Sequence, residues 1–161
     1  MSMLTWRWRI ATAALLATVG LTIVGVASVT AKGSVKADHG TSYVAVTHQV
    51  GSTYIAAGDA TDNNLGKGAV SYTITAGTGT KPGTIKITAR RVTVFSSTGS
   101  LYGTAAGTET TLASGAVTLT GKLNLTHGTG GQKGHRLIAT FTGTGKTPLG
   151  PFVFHTKGTY K

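Results

Sequence analysis

The sequence contains no cysteine and only four acidic residues. The absence of cysteine excludes a disulfide framework, thiol catalysis and cysteine-ligated metal centres. Methionine occurs only at Met1 and Met3. After position 40, strong helix formers are also scarce, because Gly, Thr, Val and Ala dominate, and glycine and β-branched residues favour helices poorly. We therefore predict no helix in that part of the chain.

Acidic residues are also scarce in this sequence. Fifteen Lys and Arg residues stand against four acids, which gives a formal net charge of +11. The acids are Asp38, Asp59, Asp62 and Glu109. Such an imbalance predicts attraction to anionic polymers or surfaces. The alternative is that the lysines serve solubility and protect strand edges.

One long hydrophobic run is present, at the N-terminus. A short basic segment around Arg7 and Arg9 precedes an uncharged stretch from Ile10 to Ser28, and Val29-Thr30-Ala31 follows it. This order is typical of a secretory signal peptide, so we assign residues 1–31 as a hydrophobic signal helix and expect a secreted or extracytoplasmic protein. The alternative is a retained membrane anchor, because the stretch approaches the length of a spanning helix.

Residues 32–41 show little pattern and are predicted to form a flexible lead-in to a single domain over residues 42–161. In that domain, short runs of alternating apolar and polar residues are separated by Gly, Asn, Asp or Ser, as in all-β sandwiches and barrels. The predicted strands are 42–48, 53–57, 70–76, 84–95, 101–106, 116–126, 137–143 and 152–160, and the longest polar break is 59–67.

The strand predicted over residues 84–95 changes phase in its middle. Ile85, Ile87 and Ala89 share one parity, whereas Val92 and Val94 share the other. A β-bulge at Arg90-Arg91 would return all five to one face of the sheet. The alternative is a strongly coiled strand that crosses from one side of a barrel wall to the other.

Eight antiparallel strands with one apolar face each predict a closed β-barrel, since closure removes exposed edges. A two-sheet β-sandwich is the alternative, because it would show nearly the same pattern. If the barrel is not filled by its own side chains, it can hold a small apolar ligand. The residues predicted to line its lumen are Val117, Leu119, Leu123, Leu125, Phe141, Phe152 and Phe154.

The C-terminal third carries a resemblance. The segment from Thr126 to His135 contains a Gly-Thr-Gly turn with a basic residue and a further glycine, and the chain closes on Gly158-Thr159-Tyr160. These features resemble the allene oxide cyclase and dirigent superfamily, including its bacterial exported members. Gln132 stands where that family usually has an aromatic residue. The resemblance implies an eight-stranded antiparallel barrel with a central cavity, and it transfers no catalytic residue.

No catalytic or cofactor-binding motif stands out elsewhere, so we predict neither a metal nor a cofactor and do not expect an enzyme. The oxygen-rich segment 59–64 is interpreted as a turn rather than a Ca²⁺ loop. His127 and His135 flank a glycine-rich hairpin turn. Glu109 and Asp59 are the acids available for a general acid–base pair in a cavity.

Three functional hypotheses remain open at this point. The first is an exported bacterial barrel that binds a small hydrophobic ligand. The second is an isomerase or cyclase of the resembling superfamily. The third is a basic surface adhesion module, whose outer stripe would include Lys86, Lys122 and Lys157. The sequence does not indicate the oligomeric state.

Overall fold

The computed structural model describes residues 33–161 of the chain. The predicted signal helix and its cleavage site lie outside these residues. The described part is all-β and contains eight strands: β1 (Lys36–Val50), β2 (Thr53–Asp62), β3 (Gly66–Thr78), β4 (Thr84–Ser96), β5 (Gly99–Thr111), β6 (Val117–Gly130), β7 (Leu137–Gly145) and β8 (Phe152–Tyr160). Over residues 33–161, no helix is long and apolar enough to cross a membrane.

The eight strands form one closed antiparallel barrel in chain order. Each strand pairs with the next, and β1 pairs with β8 over nine residue pairs from Lys36↔Tyr160 to Val44↔Phe152. Every strand therefore has a partner on both sides, and no sheet edge is left unpaired. The predicted barrel is confirmed, and the alternative sandwich is wrong.

Two predicted boundaries are wrong. Strand β1 begins at Lys36, so most of the predicted lead-in, residues 32–41, is part of the barrel. Pairing with β8 orders this segment, although its own pattern is weak because Gly40 and Asp38 occupy inward positions. Strand β2 continues to Asp62 and β3 starts at Gly66. The predicted loop 59–67 is therefore a tight turn between two long strands.

The predicted bulge in β4 is confirmed. Ala89 pairs with Ala105 and Val92 with Gly103, so two residues of β4 face one residue of β5. Ala89 and Val92 are both buried, and Val94 packs against the core. The extra residue restores the inward face after the change of parity.

Glycines in the wall make room for aromatic rings in the lumen. A Cβ on Gly121 would lie 2.5 Å from Cζ of Phe141, and one on Gly143 would lie 2.5 Å from Cδ1 of Phe154. The rings of Phe141 and Phe154 meet edge to face with centroids 5.8 Å apart. Large inward side chains are thus accommodated where the paired residue on the neighbouring strand is a glycine.

The connections alternate between the two ends of the barrel. The turns 51–52, 79–83, 112–116 and 146–151 form one end, which we call the mouth end. The turns 63–65, 97–98 and 131–136, together with both ends of the described chain, form the other, which we call the closed end.

Candidate functional site

The interior of the barrel contains a cavity of about 120 Å³. Its lining is almost entirely apolar and comes from all eight strands and from the turn 146–151. Pro148 and Leu149 of that turn contact the cavity, and Leu149 is 54% exposed. The cavity therefore reaches towards solvent at the mouth end.

The rim of the mouth end is apolar as well. Val50, Leu112 and Leu149 are exposed hydrophobic residues at or beside three of its four turns. Single exposed apolar residues are common on protein surfaces. Here three of them lie at the end of the barrel where the cavity approaches solvent, which gives an apolar molecule a favourable route inward.

Five of the seven predicted lumen residues line this cavity: Leu119, Leu123, Phe141, Phe152 and Phe154. Val117 and Leu125 are fully buried in the same core but do not contact the cavity. Leu125 pairs with Leu137 and Gly103 towards the closed end.

The N-terminal half of the barrel supplies lining residues that were not among the seven predicted lumen residues. They are Val44, Val46, Tyr54, Ala56, Tyr72, Ile74, Ala76, Ile85, Ile87 and Ala89. Their signal was the same alternation that identified the C-terminal residues. In a closed barrel the inward positions of every strand share one lumen. The lining residues therefore come from the whole domain and not only from its C-terminal third.

Among residues 33–161, Glu109 is the only charged residue that lines the cavity. It lies on β5 between Ile85 of β4 and Leu119 of β6 in the pairing register. The residue is 7% exposed, and its Oε1 has no hydrogen-bond partner. Burial raises the pKa of the Glu109 carboxyl.

Asp59, the other acid considered for an acid–base pair, is exposed on the outer face of β2. The strand places Ala56 inward, and because side chains alternate along a strand, Asp59 points the opposite way. The structure therefore does not bring Glu109 and Asp59 together, and among the described residues the cavity is lined by one carboxyl rather than a pair.

At the closed end, the turn 131–136 makes a cluster of hydrogen bonds and ring contacts inside the barrel, which we call the plug. Gln132 is buried; its Nε2 donates to Oγ1 of Thr98 (2.8 Å), and its Oε1 accepts from the hydroxyl of Tyr160 (2.8 Å). The His135 ring stacks on Tyr160 with centroids 5.0 Å apart. The residues that carried the family resemblance thus have a structural role here, and the glycine-rich stretch is a hairpin turn.

A second group of polar residues lies beside this plug. Nδ2 of Asn64 donates to Oδ1 of Asp38 (2.9 Å), while Oδ2 of Asp38 is buried without a partner. Burial raises the pKa of Asp38 to about 6, and the neighbouring Asp62 acts in the same direction. Oδ1 of Asp62 accepts the backbone N–H groups of Asn64 and Leu65, which fits a turn rather than a Ca²⁺ loop.

Within the described residues, no group of three or more His, Cys, Asp and Glu side chains lies close enough to hold a metal ion. His127 stacks on Tyr102 (5.3 Å) and His135 on Tyr160. Each histidine therefore packs against a tyrosine rather than against the other histidine.

Lys86, Lys122 and Lys157 are all exposed on the outer wall, on β4, β6 and β8. These strands are not neighbours, because one strand separates each from the next. Lys122 and Lys157 flank Thr140 of β7 in one row of paired residues, about 10 Å apart for two inter-strand spacings.

No family model matches this chain, and no curated protein or solved structure shows significant similarity to it.

Proposed function

We propose that this chain is an exported barrel that binds a small apolar ligand in its lumen. The observation that carries the proposal is the apolar cavity of about 120 Å³ in the mouth half of the barrel. Eight-stranded barrels have interiors that are either just filled or able to hold one small ligand. Barrel mouths are also common places for ligand sites.

The cavity volume limits the size of the ligand. Pockets for drug-sized molecules typically measure about 300–1,000 Å³, well above the volume found here. An engineered apolar cavity of about 150 Å³ stays dry and takes up benzene. A ligand for this lumen is therefore a single ring or one short alkyl chain, and burial of its apolar surface drives binding.

The proposal is tested with n-hexanol, a short chain with a neutral head group. A ligand that binds only the folded state raises the free energy of unfolding by about 1.4 kcal/mol at ten times its Kd. We expect hexanol to stabilise the protein in denaturant titrations, and to shift the methyl resonances of Leu119 and Leu123 in NMR spectra.

Ala105→Leu provides the blocking variant, because Ala105 lines the cavity. Ala69→Leu is the matched control on the exposed face of β3. We expect Ala105→Leu to abolish stabilisation by hexanol and Ala69→Leu to retain it. Equal stabilisation of both variants, or no methyl shift in the wild-type protein, would refute binding in the lumen.

A specific observation favours a second candidate, the basic surface module. Asp38 and Glu109 are buried, so the outer wall carries fewer carboxylates than the composition suggests. Asp59 is the one acid among residues 33–161 that is exposed. The outside of the barrel is therefore strongly cationic, as binding to anionic wall polymers or lipid headgroups requires.

A further inference from the structure

The buried carboxyl of Glu109 has no partner within the described part of the protein. Its Oε1 makes no hydrogen bond, and its neighbours across both strand pairs, Ile85 and Leu119, are apolar. The other polar side chains that line the cavity are the hydroxyl-bearing Tyr54, Tyr72 and Thr156. No lysine, arginine or histidine lines it.

An unpaired buried carboxyl is unfavourable in either protonation state. Ionised, it has lost hydration without gaining a donor, and protonated, its polar atoms are still unsatisfied. The cost is consistent with the raised pKa that burial gives this group. Among the described residues, the cations lie on the surface and none lines the cavity, so an incoming molecule can supply the missing partner.

We propose that Glu109 is a binding residue for an amino head group, and that the lumen takes a small aliphatic or aromatic amine. This inference rests on the proposed function, that the cavity binds a small apolar molecule. The hydrocarbon part of the amine fills the apolar cavity, and the ammonium group donates hydrogen bonds to the Glu109 carboxylate.

The chemistry of the site separates an amine from other head groups. A carboxylate accepts hydrogen bonds only, and an ammonium group offers three donors and the opposite charge. Charge-assisted hydrogen bonds are roughly twice as strong as neutral ones, and a low local dielectric strengthens them further. A ligand carboxylate would instead place two like charges together.

The positive charge of the outer wall repels an incoming cation, but this repulsion acts over a longer range than the contact with Glu109. At physiological ionic strength, charges more than about 8 Å apart are largely screened. The contact between the ammonium group and Glu109 forms at hydrogen-bond distance inside a cavity with an apolar lining, where screening is weak. The local interaction therefore dominates the equilibrium, while the exterior charge slows association.

The experiment compares n-hexylamine, n-hexanol and hexanoate, which share one alkyl chain, by titration calorimetry on the full chain. We expect hexylamine to bind the wild-type protein about tenfold or more tightly than hexanol, since hydrogen bonds to charged groups contribute about 1.5–3 kcal/mol. Hexanoate should bind most weakly. Glu109→Gln should weaken hexylamine binding about tenfold and leave hexanol binding nearly unchanged.

Asp59→Asn removes the same charge from the outer wall and is the matched control, so it should bind all three compounds as the wild-type protein does. Hexanol binding equal to or tighter than hexylamine binding would overturn the amine assignment and leave the cavity proposal intact. Failure of all three compounds to bind the wild-type protein would overturn the cavity proposal itself. The head-group comparison needs no variant, so it stands even if Glu109→Gln does not fold.

Discussion

Asp38 is a fully buried carboxyl at the closed end of the barrel, held by Asn64 and facing the charge of Asp62. Burial makes its charged form unfavourable, so the folded protein holds this proton more tightly than the unfolded chain does. Glu109 shows the same effect of burial in a different place. Burial of these two carboxyls thus makes the stability of this protein depend on pH.

For Asp38 the direction follows from the two pKa values. The unfolded chain releases the proton near pH 3.8 and the folded protein near pH 6. The contribution of Asp38 to stability is therefore greatest below pH 3.8, and this contribution is lost as the pH rises through 6. The full loss is about 3 kcal/mol for a difference of this size.

We predict that Asp38→Asn changes the slope of stability against pH. Denaturant unfolding of the variant and the wild-type protein should show the variant gaining about 2.4 kcal/mol relative to wild type between pH 4 and pH 8. Asp59→Asn, at an exposed site, should show no such relative gain. A constant difference between Asp38→Asn and wild type across this range would contradict the prediction.

At the scale of elements, the bulge in β4 decides which side chains face the lumen. The strand has one inward parity before Arg90 and the other after it, and the pairing with β5 shifts at that point. In the pairing with β3, Arg90 is the residue that has no partner. Removing Arg90 alone would restore regular alternation with Val92 and Val94 still inward, whereas removing both Arg90 and Arg91 would turn Val92 and Val94 towards solvent, because side chains alternate along a strand.

Deletion of Arg90 together with Arg91 should therefore be strongly destabilising. Val92 is fully buried and Val94 packs against the core, and each valine side chain contributes about 1.5–3 kcal/mol on burial. We expect the free energy of unfolding to fall by about 3–6 kcal/mol in urea titrations, which is a large part of the usual stability of a domain.

Deletion of Arg90 alone is the control, because it removes the extra residue of the bulge and keeps Val92 and Val94 on the inward face. Its effect on the free energy of unfolding should be much smaller. Equal losses for the two deletions would mean that the position of the bulge does not set the inward face of β4.

At the scale of the whole molecule, the fold separates charges of opposite sign. Two of the four acids are buried, and the described chain carries twelve Lys and Arg residues on the barrel and its turns. The exposed surface is therefore more basic than the average of the sequence. Long-range attraction to polyanions follows from this distribution, and it weakens with salt.

We predict that the protein binds immobilised heparin, used as a general polyanion, and elutes with increasing NaCl. If the outer row of the barrel is the binding surface, Lys122→Gln combined with Lys157→Gln should elute at a lower salt concentration than wild type. Lys81→Gln combined with Lys133→Gln removes the same charge from the two ends and should have the smaller effect. The reverse order would place polyanion binding at the barrel ends.

The sequence alone indicated eight strands, the parity of most inward residues and the change of phase at Arg90-Arg91, which it left open between a bulge and a coiled strand. Apolar side chains must leave water, and this requirement acts on each strand by itself, so Leu119 and Leu123 or Ile85 and Ile87 reveal their common face without a structure. This inference failed in strands whose inward and outward residues differ little in hydrophobicity. In β5, the inward series Leu101, Gly103, Ala105, Gly107 and Glu109 has too little hydrophobicity to show which face is buried.

Only the tertiary structure decided whether the sheet closes, where the cavity lies and which acidic residues are buried. A barrel and a sandwich need the same alternation, so the choice between them depends on the pairing of β1 with β8, which are far apart in the chain. The cavity depends on which rings meet which glycines, as Phe141 meets Gly121. Glu109 is buried and Asp59 exposed because strand register, rather than residue type, determines the side of the wall on which a carboxyl lies.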